Sequence, residues 1–149
     1  NTASSMWAHF GFAPGQKRVP GQKIDYDAVG KTWCWRLGDV LIKQSPSFKA
    51  VYDKRKAYEQ AKFLVNGAKI VPGKKGQKLD ADTMTVGHIH NRAMRYMIKV
   101  FLALLWKVWR GSEGLEARPV YPIGRVIEGQ YHTTEWDPWE FQDEIKGKK

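Results

Sequence analysis

Residues 92–110 read RAMRYMIKVFLALLWKVWR, and their spacing decides the fold. Apolar residues recur at helical intervals with no proline or glycine among them, which predicts one long helix. At about 100° per residue, Arg92, Arg95, Lys99, Lys107 and Arg110 fall within about 120° of one another. Met94, Met97, Ile98, Phe101, Leu104, Leu105 and Val108 occupy the remaining surface. The pattern predicts a helix buried on one side, with a cationic line on the order of 27 Å long on the other. A line of that length fits a sugar–phosphate backbone.

Upstream, the same spacing predicts further helices. Thr2 or Ser4 can cap a first helix over residues 4–10, ended by Gly11. A Gly/Pro loop follows at residues 15–23, GQKRVPGQK, bearing Lys17, Arg18 and Lys23. A second helix runs from about residue 26 to 44, with Asp25 or Asp27 as its N-cap and Val29, Trp33, Leu37, Val40 and Leu41 as its apolar face. Ser45-Pro46-Ser47 breaks it, and Pro46 suits the first turn of a third helix over residues 47–63. Phe48, Val51, Tyr52 and Tyr58 mark the inner side of that helix, with Lys49, Lys54, Arg55, Lys56 and Lys62 opposite. Between residues 64 and 87 periodicity disappears, and GAKIVPGKKGQK reads as a basic loop or small hairpin. Beyond Pro119 the chain turns irregular and ends in the acidic-aromatic stretch EWDPWEFQDE, whose Trp136, Trp139 and Phe141 are expected to pack on the domain.

With 149 residues and 13% aromatics the chain has enough apolar material for a core. Its 25 Lys and Arg against 15 Asp and Glu give a net charge of +10, which points to polyanionic partners. The single cysteine, Cys34, excludes an internal disulfide and suits a reducing cytoplasm. No apolar run approaches the ~20 residues that a bilayer requires, so no membrane association is expected. The opening at Asn1, without a methionine, reads as the start of a fragment.

Few residues carry catalytic signals. His88, His90, His9, His132 and Cys34 are the metal-ligand types, but they lack the paired spacings of a closed zinc site, and no metal is expected. No Walker loop, dinucleotide glycine set, nucleophile elbow or zincin motif occurs. Asp25, Asp27, Asp39 and Asp53 offer no obvious convergent carboxylate set. The better candidates are basic: the glycine loop lets backbone approach a phosphate, and the helix after it carries Lys31 and Arg36. Trp33 and Trp35 can stack on bases or serve as core.

The order of these elements resembles the C-terminal domain of the RuvC-like DEDD insertion-sequence transposases, relatives of the Piv invertase, some of them guided by a bridge RNA. The stretch Thr2-Ala3-Ser4-Ser5-Met6-Trp7-Ala8-His9-Phe10-Gly11-Phe12 resembles the family's opening helix and Gly-hydrophobic turn. Gly15 to Lys23 is similar to its loop, Lys31 to Gly38 to its basic helix, and Tyr52-Asp53-Lys54-Arg55-Lys56 to its next helix. Gly87 through Arg110 looks like its closing helix. The resemblance spans about residues 2–115 and implies a helical domain that helps assemble a DNA recombination site. It also implies magnesium bound by a separate RuvC-like domain, and in many members a serine nucleophile in the loop. Here the RuvC-like half is absent and residues 17–23, KRVPGQK, hold no hydroxyl.

The resulting expectation is a mainly α, compact helical domain over residues 1–118. It has a long central amphipathic helix, a basic loop or small hairpin insertion, and an irregular tail over residues 119–149. Its function is expected to be DNA binding within a transposase, with no cofactor of its own and no identified catalytic residue. The alternative is an assembly module of a nucleoprotein complex. The partners are DNA, a guide RNA in the guided members, and in the alternative a second copy. The residues expected to meet phosphates are Lys17, Arg18, Lys23, Lys31, Arg36, Lys54, Arg55, Arg92, Arg95, Lys99 and Arg110.

Overall fold

A computed structural model describes residues 2–16, 18–73 and 80–116. Along the chain come α1 (Ala3–His9), α2 (Ala28–Gln44), α3 (Pro46–Val65), β1 (Lys69–Val71), β2 (Thr83–Thr85) and α4 (Val86–Ser112). The protein is mainly helical, with a long last helix, as its spacing predicts. Lys17, the boundary at residue 118 and the tail of residues 119–149 lie outside the described residues. The described residues form two units, one within residues 2–34 and 99–116 and one within residues 35–98.

In the first unit, Thr2 caps α1 by accepting a hydrogen bond from the Ser5 amide on Oγ1 at 3.3 Å. The helix ends in a Schellman turn, in which the Gly11 amide donates to the Ala8 carbonyl and the Phe12 amide to the Trp7 carbonyl. Gly11 sits at φ +70, where a Cβ would be strained. The turn drives Phe12 into complete burial. Asp27 then joins the two helices. Its amide donates to the His9 carbonyl at 2.8 Å, and its Oδ1 accepts from the amides of Val29 and Gly30 at the start of α2. Gly30 is a packing requirement there, because a Cβ would stand 2.6 Å from the Phe10 ring. The Trp7 indole N–H donates to the Lys99 carbonyl at 3.0 Å.

The buried face of α4 within this unit differs from the expected one. Val100, Leu102, Ala103, Leu104 and Trp106 are buried, while Leu105 and Val108, expected inside, are exposed together with Trp109. Apolar residues surround this part of the helix almost completely, so periodicity alone does not choose a side. Trp7, buried and hydrogen-bonded to the Lys99 carbonyl, is a fixed partner of this part of the helix.

In the second unit, Ser45 caps α3 through a bond from the Phe48 amide, and Pro46 takes its first position. Val51 and Tyr52 are buried as expected, along with Ile89, Ala93, Met94, Met97 and Ile98 of α4. Gly38 of α2 is another close contact: an added Cβ would meet the Met94 sulfur at 3.0 Å and Ile98 Cδ1 at 3.2 Å. Gly38 is buried here, and Cys34, the last residue of the first unit on the same helix, is buried as well. The expected apolar face is corrected accordingly, since Val29, Trp33 and Val40 are 67%, 61% and 52% exposed.

Two further boundaries shift. The insertion is not a hairpin, because β1 and β2 pair in parallel, with Ile70 opposite Met84. The long helix begins at Val86 instead of near Arg92, with Thr85 Oγ1 accepting from the His88 amide at 3.1 Å.

Candidate nucleic-acid interface

On α4 between residues 86 and 98, the buried side chains occupy one face and leave His88, Asn91, Arg92 and Arg95 on the other. At about 100° per residue these four span an arc of about 100°. With Trp35 from α2 they line an open cleft of about 400 Å³, within the range of about 300–1,000 Å³ of small-molecule sites. No carboxylate is among the described residues lining it. Arg95 is half-buried, and desolvation lowers its guanidinium pKa from the usual high value. An arginine nonetheless keeps its charge at neutral pH.

Arg92 is held from behind. Its Nη1 donates to Glu59 Oε2 at 3.2 Å, and its guanidinium lies 5.2 Å from the Phe63 ring centre. Glu59 is only 1% exposed, and its other oxygen accepts from Arg55 Nη2 at 2.5 Å. Arg55 also lies over the rings of Tyr58 and Tyr96, at 4.8 and 4.5 Å. Its Nε is buried without a hydrogen-bond partner among the described residues. Arg55, a phosphate-binding candidate from its sequence position, instead lies in this cluster on Glu59, Tyr58 and Tyr96. Its neighbour Lys54 is exposed, as is Arg36 on α2.

In the first unit the glycine loop forms a second concave site of about 380 Å³, lined in part by Arg18, Gln22, Lys23 and Tyr26. Gln16 shapes it by donating to the Ala8 carbonyl and to Asp25 Oδ2 while accepting from the Ala13 amide. Arg18 and Lys23 are exposed there. Lys31 instead turns inward, its ammonium 4.2 Å from the Tyr26 ring centre. Lys99 lies 4.1 Å over the Trp7 indole. Arg110 donates from Nε and Nη2 to the Glu116 carbonyl at 3.3 and 2.9 Å. These three cations rest on the protein's own rings and carbonyls, which attract positive charge when desolvated. The exposed expected cations are thus Arg18, Lys23, Arg36, Lys54 and Arg92.

His132 and the acids of the tail lie outside the described residues. Among the described residues no three His, Cys, Asp or Glu side chains cluster, so those residues do not fit the magnesium that the resemblance associates with a separate domain. His90 shares a hydrogen bond of 2.7 Å with the Tyr52 hydroxyl through Nδ1. Cys34 is buried; desolvation, and secondarily the charge of Asp27, push its thiol pKa up. Among the described residues no helix is long and apolar enough to cross a membrane.

Trp35 and His88 lie more than fifty residues apart, and no local signal in the sequence pairs them. The usable signal was the spacing of His88, Asn91, Arg92 and Arg95 on a helix that starts a turn and a half earlier than expected. No protein-family model matches the chain, and no curated protein or solved structure matches it.

Proposed function

We propose that this chain is the nucleic-acid-binding domain of a RuvC-like DEDD insertion-sequence transposase, not competent for strand transfer alone. The observation that carries the binding role is the cleft in which two guanidiniums, an imidazole, an amide and an indole meet, with no carboxylate among its described lining residues and Glu59 holding Arg92 from behind. Guanidinium forks match phosphate oxygens and stack on bases. The glycine loop, with Arg18 and Lys23, supplies a second place for a backbone phosphate. The transposase assignment rests on the resemblance in motif order, and its partners are DNA and, in a guided system, an RNA.

Filter binding to duplex DNA over a range of salt concentrations tests this. Phosphate contacts from Arg18, Lys23, Arg92 and Arg95 give a log–log slope of about −4, at about −0.9 per neutralised phosphate. The double variant Arg18→Gln, Lys23→Gln reduces the steepness by about 2. Affinity that does not respond to salt overturns the proposal.

One observation favours the assembly alternative: the exposed Leu105, Val108 and Trp109 on the last turns of α4. Light scattering separates the two readings. A tight dimer with no salt-dependent nucleic-acid affinity supports assembly instead.

A further inference from the structure

We infer that the cleft between Trp35 and the start of α4 holds an unstacked base of a single strand, with Arg92 and Arg95 on its flanking phosphates. This rests on the nucleic-acid reading above and narrows it to a substrate class. A regular duplex offers a protein its phosphates and the edges of paired bases, while the flat faces stay inside the stack. An indole contributes little to such a surface. It contributes most where a base has left its neighbours, since every base presents a π face for stacking.

The lining of the cleft suits that partner in each part. Trp35 is half-buried and lines the cleft, so its indole is held by the fold at the edge of that volume. Asn91 is exposed on the same wall, and its amide can both donate to and accept from a base edge. Arg92 is anchored by Glu59 and Phe63 before any ligand arrives, so little side-chain freedom is lost on binding. DNA and RNA single strands share this chemistry, and the 2′-hydroxyl is what separates them.

The test measures binding of the full chain to three probes: a short oligothymidylate, the matching oligouridylate, and a blunt DNA duplex. Trp35→Leu keeps an apolar side chain for packing but removes the aromatic face, and Trp35→Phe restores a ring. Trp35→Leu is expected to weaken single-strand binding by about five- to 150-fold, to weaken duplex binding by a clearly smaller factor, and to be largely rescued in Trp35→Phe. A stronger effect on one oligonucleotide identifies DNA or RNA as the source of the base. Unchanged single-strand binding in Trp35→Leu, or an equal loss on all three probes, overturns the inference while leaving the functional proposal standing. Loss of salt-dependent binding by the unaltered protein removes both.

Discussion

Replacing Glu59 with alanine is expected to lower the folding free energy by about 3 kcal/mol, the low end of the range for breaking a buried ion pair. Glu59 is the one charged side chain among the buried described residues, and each of its oxygens is taken by a different guanidinium. Removing it leaves Arg55, already short of a partner at Nε, facing an empty acceptor position. The side chains of Arg55 and Arg92 are 31% and 47% exposed, so water recovers part of the loss, and the upper end of the range is not reached. Urea unfolding followed by circular dichroism measures the effect. A shift corresponding to less than about 1 kcal/mol would place the pair among surface bridges of little weight. Arg92 also loses its anchor in this variant, so nucleic-acid affinity is expected to fall beyond what unfolding accounts for.

Gly11→Ala carries the second large effect, about 2–5 kcal/mol. It combines the cost of a side chain at positive φ with that of overpacking a filled site. The added Cβ would stand 2.7 Å from the Tyr26 ring and 3.1 Å from the Lys31 ammonium, the pair that closes over this turn. Gly15→Ala is the control. Gly15 has φ +79 but nothing within 4 Å of the added carbon, so only the backbone cost of about 1–2 kcal/mol applies. The difference in denaturation midpoint between the two variants isolates the packing contribution. Equal midpoints would show that Tyr26 moves aside without cost.

Helix identity and order were legible because caps and breakers are local. Thr2, Asp27, Ser45 and Pro46 act within a few residues of themselves, and each does what its position suggests. Helix faces were less legible. The α2 stripe of Val29, Trp33 and Val40 has the correct spacing for a core yet points outward. Met94 and Ile98 of α4 pack instead against Gly38, a small residue that hydrophobic periodicity undervalues. On α4 the cationic line is real in sequence, but Lys99 and Arg110 turn onto Trp7 and Glu116. Such partners lie far away in the chain or on its backbone, and charge counting cannot register them. The cleft lay between these cases. Its α4 residues share a readable spacing, whereas the presence of Trp35 beside them is a tertiary fact. The parallel pairing of β1 and β2 joins residues more than ten positions apart, which no local pattern registers.

The solitary, buried Cys34 makes the protein its own stopwatch. Cys34 is 8% exposed, so a thiol reagent reacts slowly until the segment around the middle of α2 opens, and the labelling rate at fixed pH times that opening without any introduced probe. If a bound oligonucleotide slows the labelling, ligand occupancy and the breathing of α2 belong to a single equilibrium.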